Sequence, residues 1–171
     1  MSEIDRVLET VKEAIEIEKF GYEFYNSMRN FVKDRNGQEL VSYLARLEID
    51  HIKWLEEEYH RQLGKLDELQ EEPEVKLSLI GKGEIFFDRD KLPDIFKQFN
   101  PVKAISFAID IENKSVDFYE KNKKIAKDDK TKELFTRLAD FEKDHIIILR
   151  ENLKSLQEMG LWKSSSFKKK K

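Results

Sequence analysis

No cysteine occurs in the 171 residues, which excludes disulfides, thiolate zinc sites and cysteine-held iron–sulfur clusters. Proline and glycine are scarce, 3 and 6 residues, so little interrupts a long helix. No stretch approaches the roughly 20 apolar residues of a membrane span, and the mean hydropathy is -0.69. The opening residues, MSEIDRVLET, lack the apolar core of a signal peptide; a cytoplasmic location is the expectation. Neither charge sign dominates. Lys and Arg total 32 against 35 Asp and Glu, a net charge of -3, which is too balanced for a protein built around nucleic acid. What is present is 39% charged and 11% aromatic residues, too many aromatics for a disordered chain. The length suits one domain or two small halves.

The few punctuating residues divide the chain. All three prolines, Pro73, Pro93 and Pro101, lie in one region together with Gly81 and Gly83. On either side run long stretches that are nearly free of both residue types. The pattern predicts an all-α protein of four helices, at about 4–33, 38–62, 102–126 and 129–158, with a connection at about 64–99. Asn36 or Gly37 is expected to break the first half. Asp128 or Asp129 can cap the fourth helix, and Asn100–Pro101 is a strong start for the third. The bundle is expected to occupy residues 1–160, followed by a flexible basic tail at 161–171.

Shifted by 94 residues, the sequence aligns with itself without a gap. AIEIEKFGYEFY (Ala14–Tyr25) falls on AIDIENKSVDFY (Ala108–Tyr119), and Glu39–Glu57 falls on Glu133–Glu151. Over positions 14–57 and 108–151, 18 of 44 residues are identical. Leucines at helical spacing would match by chance. The polar identities are more telling: Glu18 with Glu112, Tyr25 with Tyr119, Glu48 with Glu142, Asp50 with Asp144 and His51 with His145. The chain reads as a duplicated helical hairpin.

Those shared residues fall on the apolar faces. Glu18 lies between Ile15 and Tyr22 in the stripe of the first helix, and Glu48 and His51 fill the gap between Leu44 and Leu55 in the second. Glu112, Glu142 and His145 repeat the arrangement. Four carboxylates and two imidazoles are therefore aimed into the core. Burying a charge unpaired costs several kcal/mol per ion, and two histidines cannot neutralise four glutamates. Two divalent cations can. Glu and His three residues apart differ by about 60° around a helix, so both can reach one centre. Two such Glu-x-x-His pairs, with one Glu from each remaining helix, form the di-iron or di-manganese site of bundle proteins.

On these residues the sequence resembles the ferritin-like superfamily, and within it the rubrerythrin-like diiron proteins. The resemblance rests on Glu18 to Tyr25, repeated at Glu112 to Tyr119, and on Glu-x-x-His at Glu48–His51 and Glu142–His145. It covers roughly residues 4–158 and implies a four-helix bundle with one long crossover between the second and third helices. The implied metal ligands are Glu18, Glu48, His51, Glu112, Glu142 and His145. Full-length rubrerythrins carry a further carboxylate one turn past the third-helix ligand, where this chain has Ser115, and a four-cysteine rubredoxin-type domain, for which this sequence has no cysteine. Electrons would have to come from another protein, such as a rubredoxin.

Tyr25 and Tyr119 lie two turns beyond Glu18 and Glu112 on the same face; they are candidates for hydrogen bonding to the ligands and assisting catalysis, with ordinary core tyrosines as the equal alternative. Asp50 and Asp144 turn towards helix flanks, and His60, nine residues after His51, faces away from the core. Oxygen and nitrogen ligands without thiolate suit iron, with Mn or Zn as possible substitutes. The expected function is a diiron oxidoreductase reducing hydrogen peroxide or O₂ as a homodimer. The alternatives are a ferritin-type ferroxidase that handles iron and a metal-free helical interaction protein.

Overall fold

Each long helix begins at a side chain that accepts a backbone N–H three residues on, as free helix N-termini require. Ser2 and Asp5 bond reciprocally at the start of α1 (Glu3–Arg29), with Asp5 N–H donating to Ser2 Oγ at 3.1 Å. Asp34 Oδ1 accepts from Gly37 N–H at 3.1 Å as α2 (Arg35–Asp67) begins. Asn100 caps α4 (Pro101–Ile125), accepting from Lys103 N–H at 3.0 Å. Asp128 caps α5 (Asp129–Met159), accepting from Thr131 N–H at 3.0 Å. Gly160, at φ 67°, ends α5 in the left-handed conformation that glycine adopts without steric cost. A short α3 (Leu92–Lys97) precedes α4. The computed structural model describes residues 2–67 and 92–164, and among them there is no strand.

The first turn differs from its expectation. Helix α1 stops at Arg29, and the break falls over residues 30–34, ahead of Asn36 and Gly37. Asp34 caps α2 as Asp128, its partner at the 94-residue offset, caps α5. Gly37 is inside the first turn of α2 and serves packing: a Cβ there would stand 2.7 Å from the Trp162 ring. The other end also differs. Trp162 is buried against Gly37 and Val32, and Lys163 N–H donates to Asn152 Oδ1 at 3.1 Å. Ordered packing therefore continues past residue 160, where a tail was expected to start.

The hairpins α1–α2 and α4–α5 pack closely along their lengths, while close backbone approaches between them, α1 to α4 and α2 to α5, are few. Side chains fill the space between the hairpins. Ile15, Leu44, Leu55, Ile105, Leu138 and Leu149 are fully buried there, each worth about 1.5–3 kcal/mol on removal from water. Ile95, Phe96 and Phe99 lie against this core from outside, with the Phe96 ring centroid 5.7 Å from Phe24 and 4.9 Å from Phe31. The connection is too apolar for a solvated loop and is expected to cover the bundle's outer face or a dimer contact; these three residues lie on the bundle. Leu77, Leu79, Ile80, Ile85, Phe86 and Phe87 lie outside the described residues. No described helix is long and apolar enough to cross a membrane. The result is an all-α ferritin-like bundle.

Candidate metal centre

Midway along the bundle the apolar packing gives way to Glu18 from α1, Glu48 and His51 from α2, Glu112 from α4, and Glu142 and His145 from α5. All six are at most 2% exposed. Their ligating atoms form two groups, Glu18, Glu48, His51 and Glu142 in one and Glu48, Glu112, Glu142 and His145 in the other, with the atoms of each group within 4.8 Å of one another. Glu48 and Glu142 belong to both. Glu18 and Glu112 each belong to one and occupy equivalent places under the repeat. His51 Nδ1 lies 3.0 Å from Glu18 and 3.1 Å from Glu142. His145 Nδ1 lies 2.9 Å from Glu142 and 3.5 Å from both Glu48 and Glu112. The imidazole rings stack at 5.5 Å between centroids.

The tyrosines cross between the halves. Tyr25 donates to Glu112 Oε1, and Tyr119 donates to Glu18 Oε1. Each hairpin therefore fixes the single-group carboxylate of the other. Burial raises both phenols well above their ordinary range, and the neighbouring carboxylates add to this, so both stay protonated and donate.

Protons are unevenly held in the metal-free cluster. Glu18 and Glu112 are pushed well up, first by burial and then by the charges of Glu142 and Glu48. In Glu48 burial acts upward most strongly, but Glu18, His145 and His51, which face its carboxylate, together hold the group below its ordinary value. Glu142 is held well down because both histidines outweigh the same burial effect. Burial disfavours the charged imidazoles, yet the facing carboxylates lift His51 and His145 well above the usual histidine value.

Hydrogen bonding does not satisfy this cluster. Glu48 Oε1, both oxygens of Glu142, both ring nitrogens of His145 and His51 Nε2 are buried without a hydrogen-bond partner among the described residues. Buried polar atoms are rarely left so. The carboxylate oxygens of Glu48 and Glu142 and the Nδ1 of His145, gathered in the buried core, suit cations. The small residues near them fit as well. A Cβ on Gly21 would come within 3.3 Å of the Glu48 carboxylate carbon. Its repeat partner Ser115 is buried and donates to the Ile111 carbonyl at 3.2 Å, so that position supplies no further carboxylate.

The remaining candidates lie apart from the cluster. His60 is exposed, Asp144 is exposed, and Asp50 is half-buried and pairs with Lys53 at 3.5 Å. Sequence reasoning missed the ring contacts of His51, which lies 5.4 Å from Trp54 and 5.5 Å from Phe141, centroid to centroid. The signal was present as departures from the repeat, since Trp54 aligns with Ile148 and Phe141 with Leu47.

Four helices converging carboxylates and imidazoles on one buried point define a bundle of the ferritin-like class with a cluster able to hold metal. The chain belongs to the rubrerythrin family, whose model matches residues 9–153. A solved structure of a hypothetical protein from Pyrococcus furiosus has the same fold, with 24% identity, 91% of this chain and 93% of that one covered, and a TM-score of 0.67. No curated protein matches the sequence.

Proposed function

We propose that the cluster holds two iron ions and that the protein is an oxidoreductase reducing hydrogen peroxide, with electrons from an external donor protein of the rubredoxin kind. The observation that carries this reading is the sharing of Glu48 and Glu142 between two ligand groups, each completed by its own Glu and His. Four carboxylates balance two divalent ions, and the uncompensated charge that burial forbids disappears. A pair of iron ions would supply two-electron redox chemistry, matching the two electrons and two protons that convert hydrogen peroxide to two waters.

The chain's own residues prepare that chemistry. Glu48 and Glu142 stand where they face both groups, and Glu18 and Glu112 face one each. Tyr119 and Tyr25 donate to the carboxylates of those two and set their orientation, the role that partners behind metal ligands generally play. The surrounding Ile15, Leu44, Ile105 and Leu138 side chains exclude bulk water. The test is metal analysis of protein loaded anaerobically with Fe(II), then stopped-flow oxidation by hydrogen peroxide and by O₂, with size measured in solution. Two irons per chain in a small oligomer, most simply a dimer, oxidised faster by peroxide, are expected. Failure to take up metal would sink the reading, and a cage that retains many irons per chain would replace it with ferroxidation.

A further inference from the structure

The repeat relates not only the six cluster residues but also the side chains that flank them, and there the two halves disagree. Beside His51, Trp54 and Phe141 lie ring against ring at 5.4 Å, and the Arg137 guanidinium sits 4.0 Å above the Trp54 ring. Subtracting or adding 94 converts Trp54, Phe141 and Arg137 into Ile148, Leu47 and Tyr43. Those three, with an edge of Phe141, line a cleft of about 330 Å³ that ends on His145. The cleft is thus the counterpart of the aromatic stack across the pseudo-two-fold axis. Isoleucine stands for tryptophan and leucine for phenylalanine, and this cleft reaches His145, whereas the hollow of about 620 Å³ beside Arg137 and Phe141 is not lined by His51.

The ligand-facing side of His145 is its Nδ1, directed at Glu142, Glu48 and Glu112. The ring also borders the cleft, and its Nε2 is buried without a hydrogen-bond partner among the described residues. His51 Nε2 is equally unpartnered, but Trp54 and Phe141 stand against that ring. At about 30 Å³ of liquid volume per water, the cleft has room for several waters or a molecule of peroxide. We propose that small solutes reach the cluster from one side, through the cleft between Leu47 and Ile148 that ends on His145, while Trp54, Phe141 and Arg137 close the side at His51. The inference rests on the metal-site reading above and deepens it by assigning the entrance for the oxidant.

Reciprocal exchange across the repeat tests this. Leu47→Phe with Ile148→Trp fills the cleft as the other side is filled, and Trp54→Ile opens the closed side. The first probe is azide, followed by its charge-transfer absorption on mixing with diferric protein. The filled variant should bind azide about tenfold more slowly, about 1.4 kcal/mol in barrier height, with its equilibrium affinity within about twofold of the parent's. Trp54→Ile should not slow binding, and in the filled background it should restore the rate. Leu47→Phe alone is the milder variant if the double one loses helicity. The second probe needs no metal. Brief treatment of the metal-free protein with diethyl pyrocarbonate in alkaline buffer, where imidazoles lose the proton that blocks the reagent, mapped by peptide mass spectrometry, should modify exposed His60 first and His145 well before His51, and the filled variant should lose the preference for His145. Unchanged azide rates in a folded, metal-loaded filled variant, or equal labelling of His51 and His145, would overturn the entrance while leaving the metal centre intact. A protein that binds no metal but still labels His145 selectively would overturn the centre and keep the cleft.

Discussion

The two hairpins agree in the middle of the bundle and disagree at its ends. At the centre, Glu18, Tyr25, Glu48 and His51 repeat as Glu112, Tyr119, Glu142 and His145, and the equivalents share burial, partners and the direction in which their protonation is shifted. At one end Glu58, Arg61, Gln62 and Thr131 form a polar lock around Asp128. Arg61 donates to Glu58 at 2.6 Å, and Gln62 donates to Thr131 at 2.9 Å. The same positions at the other end hold Asn152, Ser155, Leu156 and Gly37 around Asp34. There the chain after α5 returns, Ser155 Oγ donates to the Leu161 carbonyl at 2.6 Å, and Trp162 fills the space over Gly37. A helix end can be closed by charge-assisted hydrogen bonds or by a buried ring, because either satisfies the local chain. A cluster that must neutralise four buried carboxylates has far fewer solutions.

The largest effects should come from breaking the agreement at the centre. Glu48→Ala or Glu142→Ala removes a ligand from both groups, so metal analysis should find both ions lost. Glu18→Ala and Glu112→Ala should each lose one ion, and equally. Tyr25→Phe and Tyr119→Phe should each weaken metal binding about 10–100-fold. Unequal behaviour within either pair would mean that the pseudo-symmetry does not extend to function.

Acidity probes the same agreement without metal. Glu18, Glu112, His51 and His145 hold protons more tightly in the folded metal-free protein than in the unfolded chain. Their stabilisation is full below the unfolded values, about 4.3 for Glu and 6.5 for His, and is lost as pH rises through the raised folded values. Glu48 and Glu142 act oppositely: their contribution is present above about 4.3 and is lost in acid. Thermal unfolding of the metal-free protein should therefore occur at a lower temperature at pH 9 than at pH 6. The metal-loaded protein should lack this decline, and metal uptake near neutrality should release protons, as pH-indicator titration would show.

The disagreement at the ends predicts effects of different kinds. Trp162→Ala should cost about 3–5 kcal/mol as a large ring is removed from a packed site. Gly37→Ala, which presses a Cβ into the same ring, should cost about 1–3 kcal/mol. At the polar end Glu58→Ala leaves Thr131 and Gln62 short of an acceptor, at about 1–3 kcal/mol, and denaturant melts would rank the three. Smallest of all, His60→Ala should change stability by less than about 0.5 kcal/mol and metal content not at all. A loss of metal there would mean that α2 is rotated from its described register.

Sequence periodicity alone placed Glu48 and His51 on the buried face of α2, because positions three apart on a helix must share a side. The gap-free repeat doubled that observation and made a metal pair the economical reading. The same repeat contained the cap at Asp34, legible from Asp128, although glycine at position 37 drew the break too far along. Other features depended on how helices distant in sequence lie against one another. That Tyr25 serves Glu112, 87 residues away, follows from the offset between hairpins, which no local pattern encodes. The burial of Trp162 was likewise hidden, since a basic, serine-rich neighbourhood resembles any solvated end until the gap over Gly37 is known.

By itself, then, the sequence determined the helices, the faces they bury and the six residues those faces carry, since each follows from bond geometry and a period of 3.6 residues. Tertiary structure decided which carboxylates are shared, which tyrosine reaches across, and which of two equivalent flanks is filled and which left open. Those depend on separations of a few ångströms between side chains on different helices. Such separations are set by the packing of the whole bundle, not by any one stretch of chain.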